Sequence, residues 1–156
     1  MNFIGIDTGK SGGIALIHVA SGFCTPGTEG TVTITTMSLK DATERDVWLF
    51  VKEARRGCST KDFGVIEKVH SSPQMGVVSS FTFGKSYGFL RGVLTGSGMA
   101  FDEVSPQKWQ KYMGCLTKGD KNISKAKAQQ LFPNVKITHA NADALLLAEY
   151  CRRTRI

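Results

Sequence analysis

The sequence predicts an α/β fold: a mixed five-stranded sheet flanked by helices, in one domain spanning residues 1–156. Three observations predict it. The first third of the chain holds three β-rich segments with no helical spacing between them. From there on, short apolar strand segments alternate with longer segments that repeat apolar residues at helical spacing. Finally, no internal repeat and no linker-like stretch divides the chain.

The elements follow in order. Phe3–Asp7 reads as a buried strand, TGKSGG as a turn over residues 8–13, and Ile14–His18 as the returning strand of a hairpin. Residues 20–30, rich in Gly, Thr and Ser, read as a loop, and Thr31–Met37 as a third strand. Asp41, with Glu44 three residues on, reads as the cap of a helix carrying Val47, Phe50, Val51 and Ala54 inward and ending at Gly57. Gly64–Val69 is a fourth strand, followed by a loop over Ser71–Gly76.

A helix from Val78 to Leu94 carries Ser80, Gly84, Gly88 and Gly92 every four residues. Each helical glycine costs about 1 kcal/mol relative to alanine, so three on one face call for a packing reason. The expected reason is close packing on the helix's own sheet; a contact between two copies of the chain is the alternative. Ala100–Val104 is a fifth strand. Ser105-Pro106 opens a short helix, with proline at the first helical position. Further helices cover 122–132, stopping at Pro133, and 140–153.

Composition narrows the function. No run approaches the roughly 18–20 apolar residues of a membrane span, and the N-terminus lacks the basic start and apolar stretch of a secretory signal, so a cytoplasmic setting is expected. Cys24, Cys58, Cys115 and Cys151 form no CxxC pair, so the expectation is free thiols and no zinc site. The formal net charge is +7. Between Val104 and Lys136 lie Lys108, Lys111, Lys118, Lys121, Lys125, Lys127 and Lys136 against one acid, Asp120. A solvated surface is the plain explanation; clustering of this kind favours a nucleic-acid partner.

Three carboxylates stand in apolar surroundings. Asp7 ends the first strand, after Ile4 and Ile6. Glu67 shares a strand face with Val65 and Val69. Asp143, in the first turn of the last helix, shares the stripe of Leu146, Leu147 and Tyr150. Each has an ordinary explanation alone: a turn residue, a partner for a lysine, a favourable charge at a helix start. Together they call for a shared hard cation, Mg²⁺ or Mn²⁺, because buried unpaired carboxylates are costly and oxygen donors suit such ions. With the basic stretch, they point to a metal-dependent phosphodiesterase. His139 stands four residues before Asp143, on the same helix face, as a ligand or water-orienting candidate. His70 follows the fourth strand with weaker support, and His18 has none.

The residues also resemble a known family. FIGIDTGKSGGIALI is similar to the opening hairpin of RuvC-type Holliday-junction resolvases, with the catalytic aspartate at Asp7. VIEKVHSSPQMGVVSSFTFGKSYGFLRGVL resembles their central strand and helix, with the glutamate at Glu67. VSPQKWQKYM, KAKAQQLFP and HANADALLLAEY resemble the remainder, especially in bacteriophage relatives.

The resemblance implies an RNase H-like fold, a homodimer, and Mg²⁺-dependent cleavage of four-way DNA junctions by two symmetric nicks. It implies two metals, about 4 Å apart, held by Asp7, Glu67 and Asp143. His139 would orient or deprotonate water, and Lys118 and Lys121 would stabilise phosphate charge. Lys85, Lys108, Lys111 and Lys125 join them as candidate DNA contacts. Phe81 and Phe83 fall where relatives place an aromatic near the junction centre, although at least one is expected in the core. Many relatives carry two acids three residues apart on the last helix. Here the position three before Asp143 is Ala140, which leaves His139 or Asn141 to supply the missing ligand.

Two other classes compete. IGIDTG also resembles the first phosphate loop of sugar-kinase and actin-like ATPases, which need a second lobe that this length does not accommodate. A junction-binding protein without activity is opposed by the presence of Asp7, Glu67 and Asp143 together. Flap or branch nucleases of the same superfamily remain open.

Overall fold

The computed structural model describes residues 1–9, 11–20, 31–56, 60–72, 74–117 and 119–155. The strands are β1 (Asn2–Ile6), β2 (Gly13–Val19), β3 (Val32–Ser38), β4 (Phe63–Glu67) and β5 (Ala100–Val104). The helices are α1 (Glu44–Ala54), α2 (Val77–Gly96), α3 (Pro106–Met113), α4 (Lys121–Leu131) and α5 (His139–Arg155). The strands form one open sheet in the order β3-β2-β1-β4-β5. β1–β2 and β2–β3 pair antiparallel; β1–β4 and β4–β5 pair parallel. The mixed five-stranded sheet is therefore as expected, with strand boundaries shifted by one or two residues.

Strand alternation sorts β1 between two apolar clusters. Ile4 and Ile6 point into the cluster with Val47, Val51 and Ala54 of α1 and Leu90, Val93 and Leu94 of α2. Phe3 points to the opposite face, into the cluster with Val65, Trp109 and the α5 residues Leu145, Leu146 and Leu147. Gly5 shares the Phe3 face, and it must be glycine. A Cβ there would lie 2.2 Å from both the Ala144 carbonyl oxygen and the Ala148 nitrogen. The α5 backbone thus lies directly on β1.

Some local expectations are corrected. Helix α1 is capped by Thr43, not Asp41. The Thr43 side chain accepts from the Asp46 amide (3.2 Å), and Asp46 accepts from the Thr43 amide (2.8 Å). This register sets Ala42 before the cap and Val47 four residues into the helix, both in one apolar cluster, which fixes the chain's entry. The end of this helix at Gly57 lies outside the described residues.

The glycine stripe of α2 does not pack on its own sheet. Gly84, Gly88 and Gly92 are exposed, and a Cβ at any of them would meet nothing within 4 Å. The buried residues of α2 are Leu90, Val93 and Leu94, all in its C-terminal third. Phe81 is 74% exposed and Phe83 half-buried, so neither is a core residue. Among the described residues no helix is long and apolar enough to cross a membrane. Cys115 and Cys151 are buried free thiols, and burial pushes them up to about 11 and about 12. Cys24 and Cys58 lie outside the described residues.

Candidate active site

The three acids converge because of strand register and the α5 contact. Ile6 of β1 pairs with Ile66 of β4, so Asp7 and Glu67 occupy the next step at the carboxyl ends of two adjacent parallel strands. In open α/β sheets that end of the strands is where ligands bind. Asp7 continues the Phe3–Gly5 face and Glu67 the Val65 face, so both are directed to the α5 side. The first turn of α5, brought close by Gly5, adds Asp143. Asp7, Glu67 and Asp143 line one cavity of about 270 Å³, together with Lys121.

Each acid is held differently. Asp7 is buried, and Oδ1 accepts a hydrogen bond from the Gly9 amide (3.0 Å). Gly12 passes so close that a Cβ there would lie 2.9 Å from Asp7 Cγ. Burial raises the Asp7 carboxyl above its ordinary range; the Gly9 bond opposes this, the Asp143 charge adds to it, and Lys121 opposes it. Burial, with the Asp7 charge next, pushes Glu67 up to about 7, against the opposing hydrogen bond from Trp109. That bond runs from the Trp109 indole N–H to Glu67 Oε1 (2.8 Å). Asp143 Oδ1 is buried and has no hydrogen-bond partner among the described residues.

An orphaned buried carboxylate oxygen is a group that asks for a cation. The donor set, all oxygen, suits a hard divalent ion. Among the described residues no three His, Cys, Asp or Glu side chains are gathered tightly enough to cage an ion; the acids stand on the cavity walls. The residues fit the group by donor chemistry and by the unpaired Asp143 oxygen.

His139 is the first residue of α5. It is exposed and does not line the acid cavity. Asn141 is not a free donor. Its Oδ1 accepts from the Thr138 amide (2.7 Å), and its Nδ2 donates to the Lys136 carbonyl (3.1 Å) and to Thr36 Oγ1 (3.3 Å). With the Asn141 amide donating back to Thr138 Oγ1 (3.3 Å), it caps the start of α5 and ties it to β3. His70 is exposed, and His18 is engaged by Asn2 through Nδ1 (2.6 Å).

Of the lysines, Lys121 lines the cavity at the start of α4. Lys125 is half-buried one turn further along, and Lys108 and Lys111 are exposed on α3. Lys108 borders a different depression, with Asp102 and Glu103. Lys85 lies on α2 beside Glu44 of α1 (3.9 Å), away from the acid cavity. Lys118 lies outside the described residues. Asp120, the lone acid of the basic stretch, is spent as the cap of α4, accepting from the Asn122 amide (2.9 Å).

Sequence reasoning missed Trp109, Gln110 and Thr117. Gln110 and Thr117 line the cavity, and Gln110 Oε1 accepts from the Thr117 amide (3.3 Å). The available signal was the Ser-Pro helix start, which aims the following residues at the end of the sheet.

No protein-family model matches the sequence, and no curated protein matches it. Solved structures do. Over 99% of its length the chain is similar to T. thermophilus RuvC in complex with a Holliday junction substrate, with 13% identity, a TM-score of 0.66 and 96% of that chain covered. A second Thermus thermophilus RuvC structure matches at 15% identity and TM-score 0.60, with 99% and 96% of the two chains covered. The chain therefore has a RuvC-type, RNase H-like fold built on an open, mixed five-stranded sheet.

Proposed function

We propose that this chain is a divalent-metal-dependent DNA endonuclease that cleaves four-way junctions as a homodimer. The observation that carries the reading is the meeting of Asp7, Glu67 and Asp143, from three separate core elements, on one cavity with an unpaired Asp143 oxygen. The shared fold with RuvC, one of whose structures holds a Holliday junction substrate, supports it.

Asp7, Glu67 and Asp143 would hold Mg²⁺, with Mn²⁺ as a substitute. Such an ion, when bound, would supply an activated water and charge stabilisation at the leaving oxygen. The protein's own groups do the rest. The Gly9 amide fixes one Asp7 oxygen, and Lys121 brings positive charge to the cavity where a phosphate would sit. Lys108, Lys111, Lys118 and Lys125 serve as backbone contacts along the arms, carrying affinity without sequence information. His139, exposed at the start of α5, stands outside the ligand set.

Two opposed nicks need two active sites, and a two-fold dimer matches the approximate symmetry of the junction. The exposed α2 face, with Gly84, Gly88 and Gly92 open and Val77, Val78 and Phe81 uncovered, is the surface we assign to that contact and to the junction centre.

The test is a panel of end-labelled four-way junction, flap, RNA–DNA hybrid and linear duplex, incubated with the protein in Mg²⁺ or in EDTA. The expected result is paired nicks in the junction, only with Mg²⁺. Preferential flap cutting would favour a branch nuclease, and tight junction binding without cleavage would favour a binding protein.

A further inference from the structure

We infer that Trp109 is a positioning residue of the acidic centre, holding Glu67 as a ligand through its indole N–H. The inference rests on the reading of Asp7, Glu67 and Asp143 as a metal-binding set and adds a residue to it. Trp109 has no exposed surface and lies in the larger apolar cluster with Phe3, Val65 and Val104. An indole has a single polar atom, which needs a partner when buried. Here that partner is Glu67 Oε1, at 2.8 Å. A buried ring, locked by packing on every side, thus ends in one donor aimed at one carboxylate oxygen.

The consequence is orientational. Glu67 ends β4 and has free side-chain torsions. Trp109 fixes the end of the side chain by one oxygen, and Oε2 takes no hydrogen bond from a described residue. Hydrogen-bond partners that orient metal ligands in this way typically govern about 10–100-fold in metal affinity. Trp109 also ties the site to the core: it sits on the short helix α3, so the placement of α3 sets the placement of Glu67.

The test separates the N–H from the ring. The chain has two tryptophans, Trp48 and Trp109. In a Trp48→Phe background, Trp109 is replaced by benzothienylalanine, which keeps the ring shape and substitutes sulfur for N–H; Trp109→Phe is made alongside. Mn²⁺ binding is measured by electron paramagnetic resonance without DNA, and folding by thermal melts. Glu67→Gln is titrated in parallel.

The expected result is a Mn²⁺ dissociation constant raised about tenfold or more by the isostere, with an unchanged melt. Mn²⁺ binding by the isostere within about twofold of its parent, while Glu67→Gln loses it, would overturn the role of Trp109 and leave the acidic set standing. Mn²⁺ binding unaffected by Glu67→Gln would overturn the metal-site reading and this inference with it.

Discussion

The two longest helices flank the same sheet and are built on opposite terms. Helix α5, 17 residues, buries an unbroken run from Ala144 to Cys151 and lies so close to β1 that only glycine fits at position 5. Helix α2, 20 residues, buries three residues near its C-terminal end and leaves Gly84, Gly88 and Gly92 open. Glycine does contrasting work in the two places. On β1 it allows two backbones to touch within the molecule; on α2 it leaves open space beside the helix. Close packing is concentrated on the helix that carries Asp143. The α2 face is left unfilled, and it is the surface proposed above for contact with a second copy.

Substitutions on each side put this contrast at risk. The largest effect is expected on chemistry. Asp7→Asn, Glu67→Gln or Asp143→Asn should each lower junction cleavage by about a thousandfold or more, roughly 4 kcal/mol of barrier, while gel-shift affinity for the junction stays within a few-fold. A variant with near-normal turnover would remove that residue from the centre.

Next in size is Gly5→Ala. Its Cβ cannot fit against Ala144 and Ala148, and overpacking of this kind costs about 3 kcal/mol or more, read as a lowered melting temperature. Gly88→Ala is the matching change on α2 and should have the opposite sign. With open space around it, alanine should stabilise the monomer by about 1 kcal/mol, yet weaken dimerisation in sedimentation. If both substitutions destabilise equally, the two helices are not built on different terms.

The acid cavity should also show in the pH dependence of stability. Glu67 is raised from its ordinary 4.5 to about 7, and Asp7 is raised too. A raised carboxyl binds its proton more tightly in the folded state. Its contribution is therefore fully present below the unfolded value and is lost as pH rises through the folded one. In EDTA, stability should fall by about 2–3 kcal/mol between roughly pH 4.5 and 7. Glu67→Gln should flatten that fall, and Mg²⁺ should oppose it, since metal displaces protons from its ligands. The smallest effect belongs to the lysines. Replacing Lys121 or Lys125 by alanine should reduce the slope of log affinity against log salt by about 0.9 for each phosphate no longer neutralised.

Much of this was legible in the residues, and the misses have physical causes. The hairpin, the alternation of strands and helices, and the three acids all follow from periodicity, because a carboxylate at the end of an apolar run is conspicuous. Side-chain roles set by three-dimensional neighbours were not. Trp109 looks like any core aromatic in sequence, since the use of its N–H depends on β4 lying beside α3. Asn141 resembled a ligand because it sits near Asp143, but its amide closes the start of α5. The α2 glycines suggested close packing on the sheet, but the space beside them is open. Asp41 and Thr43 offer overlapping caps, and the position of Ala42 and Val47 in one apolar cluster decides for Thr43.

The central claim is that residues 7, 67 and 143, remote in sequence, bind one cation centre. Replacing Mg²⁺ by Fe²⁺ with ascorbate and peroxide generates short-lived radicals at the bound ion, and the peptide fragments report which backbone lies next to it. Cuts are expected at the end of β1, the end of β4 and the first turn of α5, all suppressed by excess Mg²⁺ and absent in Asp143→Asn. Cuts confined to other acids, such as Asp102 and Glu103 on β5, or cuts that Mg²⁺ does not compete away, would contradict it.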